Sequence, residues 1–282
     1  MTSHPALTPG RAAVITGGAS GIGLAAAKRF AALGLKVAIA DLEESALATA
    51  AAAIAEEAPG SEVLTVACDV SRKADVEALK AKAYAAFGEI AVLMNNAGTG
   101  PGGGPFDHYE GWQHVLGVNL WGVINGVHTF APAMIAQGTP ALIINTGSKQ
   151  GITCPPGDTA YNVSKAGVKA VTEGLQHVLR NTPGWKVSAH LLVPGWTFTG
   201  LTARSGGDKP AGAWWPAEVI DYMLEALGRG DFYILCPDND VTRAVDERRI
   251  LWAAGDLVEN RPPLSRWHPD YKDAFAAFLA GK

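Results

Sequence analysis

No run in this chain approaches the roughly 18 consecutive apolar residues of a membrane-spanning helix. The opening residues, MTSHPALTPG, hold prolines and no apolar stretch of signal-peptide length. A cytoplasmic protein with no membrane partner is therefore expected. Clustered positive charge is also missing. The 23 Lys and Arg residues are scattered among 27 Asp and Glu, for a formal net charge of -4, which leaves no basic surface for nucleic acid or an anionic membrane. Cysteine is scarce: Cys68, Cys154 and Cys236 are odd in number and lack any C-x-x-C spacing. That argues against a disulfide framework and for three separate reduced thiols. His108, His114, His128, His177 and His190 show no convergent ligand spacing, so no metal is inferred. Linkers and internal repeats are not found either. One domain is expected over residues 1–282, with an N-terminal extension at 1–10 and a C-terminal extension at 238–282.

Apolar residues make up 48% of the 282 positions, enough for a substantial core. Short β-rich apolar runs alternate with longer Ala-rich stretches of helical period. Strands are expected over residues 12–16, 36–40, 62–67, 91–94, 141–145, 186–193 and 232–236, and helices over 22–33, 44–57, 73–87, 109–137 and 160–181. Runs such as ALIIN are nearly all apolar, which fits burial on both faces. The fold class that follows is α/β, a Rossmann-type doubly wound parallel sheet of about seven strands with helices on both faces. Two Gly/Pro-rich segments, 98–105 and 197–216, follow predicted strands. In such a sheet the ligand crevice lies beyond the carboxyl ends of the strands, so both segments are expected on its rim, 197–216 as a substrate-covering loop.

The first strand runs into Thr16-Gly17-Gly18-Ala19-Ser20-Gly21-Ile22-Gly23 and then directly into a helix. Glycines there let the chain turn tightly and let phosphates approach free N–H groups at a helix N-terminus. The spacing T-G-x-x-x-G-x-G differs from G-x-G-x-x-G but serves the same geometry. The second strand ends at Asp41, 18 residues past Gly23. A carboxylate there accepts hydrogen bonds from both hydroxyls of an adenosine ribose and repels a 2′-phosphate, which favours NAD over NADP. Neither Gly18 nor Ala19 offers a cation, and no Arg follows Asp41.

Seven landmarks then appear in order: TGGASGIG at 16–23, CDV at 68–70, NNAG at 95–98, Asn119 in GVNLWG, Ser148 thirteen residues before Tyr161, YNVSK at 161–165, and PGWTFT at 194–199. In these the chain resembles the short-chain dehydrogenase/reductase family, in its compact branch. The resemblance implies hydride transfer between a nicotinamide and a secondary alcohol or ketone, by a homotetramer or dimer. Position by position, it implies that Asp69 and Val70 flank the adenine and that Asn96, Ala97 and Gly98 line the cleft beneath the ribose. It likewise implies that Pro194, Gly195, Thr197 and Thr199 approach the nicotinamide end. Gly147 stands where many relatives have a second Ser, and Lys149-Gln150 stand where small apolar residues are common.

Residues four apart on a helix share a face, so Tyr161 and Lys165 can enter one crevice. A free phenol, with a pKa near 10, is a poor base at neutral pH; a nearby ammonium and an oxidised nicotinamide favour its phenolate. Tyr161 is then expected to accept the substrate hydroxyl proton and Ser148 to hold the reacting oxygen. Lys165 would also hold the nicotinamide ribose, and Asn119 a water that carries the proton onward. Trp196, Phe198, Trp214 and Trp215 fit either a bulky or aromatic substrate or packing, and Cys154 with Pro155-Pro156 is expected as another pocket wall. The alternatives are an NADP-dependent ketone reductase, which Asp41 disfavours, and a non-catalytic NAD-binding regulatory protein, which has no use for Ser148, Tyr161 and Lys165.

Overall fold

A strand that is apolar at every position must be covered on both sides, and the chain achieves this with alternate residues. The computed structural model describes residues 4–202 and 208–281. Its chain order is β1 (Ala12–Thr16), α1 (Gly21–Ala32), β2 (Lys36–Asp41), α2 (Glu44–Glu57), β3 (Val63–Ala67), α3 (Lys73–Phe87) and β4 (Val92–Asn95). Then come α4 (Tyr109–Leu116), a π-helical turn (Gly117–Trp121), α5 (Gly122–Ala136), β5 (Ala141–Thr146) and the single turn α6 (Gln150–Thr153). The chain continues through α7 (Thr159–Asn181), β6 (Val187–Val193), α8 (Pro216–Arg229), β7 (Tyr233–Leu235), α9 (Arg243–Glu259) and α10 (Lys272–Leu279).

The seven strands form one parallel sheet in the order β3-β2-β1-β4-β5-β6-β7. Ala13, Ile15, Val37, Ile39, Met94 and Ile144 point to one face, where Phe30 of α1, Ile54 of α2 and Met223 of α8 cover them. Val14, Ala38, Leu93 and Ile143 point to the other, against Leu79 of α3, Phe130 and Met134 of α5 and Leu179 of α7. Each large side chain so buried contributes about 1.5–3 kcal/mol. The strand order reverses between β1 and β4, and there the loops leaving the two strands diverge to open a crevice.

The predicted helix over 109–137 exists but is interrupted at its middle by the π-helical turn, which holds Asn119. Helix α8 was not anticipated, although Pro216 opens it and Gly230, at φ 79°, closes it. Of the N-terminal extension, residues 1–3 lie outside the described residues, as do 203–207 of the expected covering loop. At the C-terminal end, the indole of Trp252 on α9 lies between Phe275 and Phe278 of α10, with the Arg261 guanidinium 4.1 Å above it. Among the described residues, no helix is long and apolar enough to cross a membrane.

Candidate active site

At the end of β1, Thr16 Oγ1 accepts hydrogen bonds from the N–H groups of Asn96 (3.0 Å) and Ala97 (3.2 Å), tying this strand to the segment after β4. Gly17 adopts φ 63°, and a Cβ on it would come 2.7 Å from Ala97 Cα. A Cβ on Gly23 would fall 2.0 Å from the Gly17 carbonyl oxygen. Only glycine therefore lets the loop fold back onto the start of α1. Ser20, Gly21 and Ile22 at that start line a cleft of about 640 Å³. Their side presents N–H groups that have no partner within the helix and the positive end of its dipole.

Asp41 lines the same cleft. Its Oδ2 accepts from Ala19 N–H (3.0 Å) and its Oδ1 from Leu42 N–H (2.9 Å), so the carboxylate braces the glycine loop. Two oxygens with about four lone-pair sites leave room for further donors. Asp69, Val70, Ala97, Gly98 and the Asn96 side line the cleft beyond it. Asp69 also closes a turn, accepting from the N–H (2.9 Å) and hydroxyl (2.7 Å) of Ser71.

At the other end stand Ser148, Tyr161 and Lys165. Helix α7 starts at Asp158, whose side chain accepts from Tyr161 N–H (3.1 Å) and from the N–H groups of Gly102 and Gly103 (3.1 Å each). One carboxylate thus caps the helix carrying the phenol and fastens the 98–105 loop to it. Lys165 is buried, its Nζ donating to the Thr146 carbonyl (2.8 Å) and lying 5.8 Å from the centre of the Tyr161 ring. Burial lowers the Lys165 pKa to about 8. The Tyr161 phenol is pushed up, chiefly by burial; a hydrogen bond with Ser148 opposes this and the Asp158 charge adds to it. The expected lowering by Lys165 is not met in the protein alone. Its ammonium is committed to a carbonyl, and desolvation penalises the phenolate more than a cation at that distance favours it.

Asn119 stands behind the cleft wall. Its Oδ1 accepts from Thr99 N–H (2.7 Å), and its Nδ2 donates to the Thr99 carbonyl (3.0 Å) and Ser164 Oγ (3.2 Å). The π-helical turn places this fully buried amide where it bridges the Thr99 segment to α7. Thr16 and Gly23 likewise shape the cleft from behind, whereas Pro194, Gly195, Thr197 and Thr199 line it. Of the four aromatics, Trp196 lines the cleft. Phe198 instead packs edge-on to Trp215 (5.5 Å), and Trp214 packs on Tyr222 (6.0 Å). Cys154 and the two prolines after it are not part of the wall; Cys154 sits at φ 44°, where α6 ends.

Two features of the site were not read from the sequence. Asp158 had a local signal, an Asp three residues before Tyr161 at the mouth of a helix. Lys149 did not. Its ammonium pairs with Asp238 (3.1 Å) and Asp246 (2.6 Å), both remote in sequence and nearly fully buried.

A glycine loop at a helix start, the Asp41 carboxylate and a Ser-Tyr-Lys group line one crevice, and the donors and acceptors present there fit a nicotinamide dinucleotide. The family model for short chain dehydrogenase matches residues 11–209, and the chain belongs to that family of oxidoreductases acting on hydroxyl or ketone groups. It is 36% identical over 266 residues to the 1-deoxy-11-beta-hydroxypentalenate dehydrogenase of Streptomyces exfoliatus, covering 91% of this chain and 94% of that one. Among solved structures it resembles a short chain dehydrogenase/reductase from Burkholderia phymatum in complex with NAD, with TM-score 0.80, 35% identity, and 90% and 96% of the two chains covered. It also resembles a metagenomic short-chain oxidoreductase in complex with NADP, with TM-score 0.67, 29% identity, and 82% and 98% covered.

Proposed function

We propose that this protein is an NAD-dependent oxidoreductase interconverting a bulky secondary alcohol and its ketone, with Tyr161 as the proton-transfer group. The observation that carries the reading is the meeting of Ser148, Tyr161 and Lys165 in the same cleft as the glycine loop and Asp41. The family uses either cofactor, and the residue at position 41 favours NAD. A carboxylate that accepts ribose hydroxyls repels a 2′-phosphate, and the cations lining the cleft, Lys149 and Lys165, lie at its far end.

Bound NAD or NADH supplies the hydride acceptor or donor. The start of α1 and the glycine loop hold the phosphates, Asp41 the adenosine ribose, and Asp69, Val70 and the 96–98 segment the adenine half. Pro194, Gly195, Thr197 and Thr199 flank the nicotinamide end, and Lys165 donates to the ribose there. Ser148 donates a hydrogen bond to the reacting oxygen and fixes its position. In ketone reduction Tyr161 gives its phenolic proton to that oxygen, and burial keeps it in the protonated form this direction requires. In alcohol oxidation it takes the hydroxyl proton and must first be ionised. Asn119 supports the wall through Thr99 and α7. Trp196 and Leu201 on the cleft rim give the substrate end apolar surface suited to a bulky ring. A cytoplasmic homodimer or homotetramer built from a single domain completes the reading.

The test follows NADH formation from NAD with a panel of aliphatic, alicyclic and aryl secondary alcohols, and the reverse reaction with their ketones. Turnover of alicyclic or aryl members is expected. Tight NADH binding without turnover of any alcohol or ketone would favour the regulatory reading instead.

A further inference from the structure

Ser148 sits between the end of β5 and α6, a helix of four residues with no capping side chain. A single turn cannot hold itself together in water, so whatever fixes the serine must come from outside it. On one side α6 packs so closely on α7 that a Cβ on Gly151 would stand 2.4 Å from the Lys165 carbonyl carbon. On the other side the only charged anchor among the described residues is the adjacent side chain, Lys149. Its Nζ lies 3.1 Å from Asp238 Oδ2 and 2.6 Å from Asp246 Oδ2, and the carboxylate side chains are 5% and 6% exposed.

Each of these carboxylates belongs to a different part of the C-terminal extension. Asp238 follows β7, and its Oδ1 accepts from the N–H groups of Asp240 (3.2 Å) and Val241 (2.8 Å). Its Oδ2, besides pairing with Lys149, accepts from the N–H of Trp196 (3.1 Å) on the cleft rim. Asp246 lies in the first turn of α9, with Arg249 3.9 Å away. The backbone at Gly195 is so close to the cluster that a Cβ there would come 2.7 Å from Asp238 Oδ2 and 3.0 Å from Lys149 Nζ. Four segments therefore meet at one ammonium: the Ser148 loop, the 194–196 turn, the turn after β7, and α9.

We propose that Lys149 is a positioning residue, its ion pairs to Asp238 and Asp246 holding Ser148 in the geometry the reaction needs. The C-terminal extension thereby acts on catalysis without reaching the reacting atoms. The proposal rests on the assignment of Ser148 made above.

The test uses Asp246→Asn, which leaves Lys149 paired with Asp238 and alters no residue lining the cleft, alone and combined with Ser148→Ala. kcat, KM for the alcohol, the NADH dissociation constant and the thermal midpoint are measured for each. Ser148→Ala is expected to lower kcat about 100-fold. Asp246→Asn is expected to lower kcat about tenfold through displacement of the serine, with NADH binding unchanged. In the Ser148→Ala background it should lower kcat no further, because the serine through which it acts is gone. Lys149→Arg, which keeps the charge, should retain more of kcat than Lys149→Met. Effects of the two substitutions that add within about twofold, or an Asp246→Asn effect confined to the thermal midpoint, overturn the proposal. A fully active Ser148→Ala protein refutes the assignment of Ser148, and the positioning role with it.

Discussion

Replacing Asp41 by Asn should convert the cofactor preference. In the structure the carboxylate holds the glycine loop through Ala19 N–H at 3.0 Å and turns with Leu42 N–H at 2.9 Å. An amide oxygen retains the bond from Ala19, so the loop should survive the change. What disappears is a negative charge beside the adenosine ribose. Two unit charges about 4 Å apart repel by about 4 kcal/mol at an effective dielectric near 20. Asp41 is partly exposed, and salt screens the pair to about 2–4 kcal/mol. NADPH should thus bind roughly 30-fold to 1,000-fold more tightly to Asp41→Asn than to the unsubstituted protein. NADH should bind about tenfold more weakly, because hydrogen bonds to an ionised acceptor are the stronger ones. Fluorescence titration of both proteins with both reduced cofactors, at low and high salt, reads all of these. An unsubstituted protein that prefers NADPH, or a preference that Asp41→Asn leaves unmoved, would refute the reasoning.

Three other outcomes follow from the geometry. Asn119→Ala removes the partners of Thr99 N–H and its carbonyl and should cost about 2–3 kcal/mol in a denaturant titration; an unchanged midpoint would contradict the bridging role. Because burial raises the Tyr161 phenol, the rate of alcohol oxidation should climb with pH through the neutral range while ketone reduction stays level there, as pH profiles of kcat in the two directions will show. His4 is lowered from 6.5 to about 4, by burial first and by His190 and Arg11 second, and His190 is lowered too, chiefly by burial. Folding holds both neutral while the unfolded chain takes up protons below about 6.5. The stability they confer is full above that pH and falls as pH drops toward 4. Allowing for solvent screening of the partly exposed His4, that residue accounts for about 1 kcal/mol, and His4→Asn should flatten the fall seen in urea titrations between the two ends of this window.

The inner strands β1, β4 and β5 were legible because burial on both faces writes nearly unbroken apolar runs, and the glycine loop because its backbone needs no side chain at Gly17 and Gly23. Tyr161 and Lys165 were legible because helical spacing alone puts them on one face. The π-helical turn at Asn119 was not, since five residues inside a continuous helical stretch, with no capping side chain at either end, carry no boundary signal of their own. Helix α8 was legible but passed over: Val219, Ile220, Met223, Ala226 and Leu227 recur at helical spacing between Pro216 and Gly230. Lys149 was visible as an unusual residue beside Ser148, yet its partner Asp238 lies 89 positions away, and only the folded chain brings them together. Likewise the state of the phenol depends on how completely the fold buries it, which spacing does not report.

The central claim is that Tyr161 moves the proton, and Tyr161→Phe tests it most directly. The substitution deletes one oxygen and keeps the ring that packs beside Gly100, so the cleft and its cofactor contacts should persist. With NADH affinity measured alongside, turnover of the best alcohol and ketone should fall by about 10²- to 10⁴-fold while binding is unchanged. A Phe variant that binds NADH normally and still turns over at the unsubstituted rate would contradict the account.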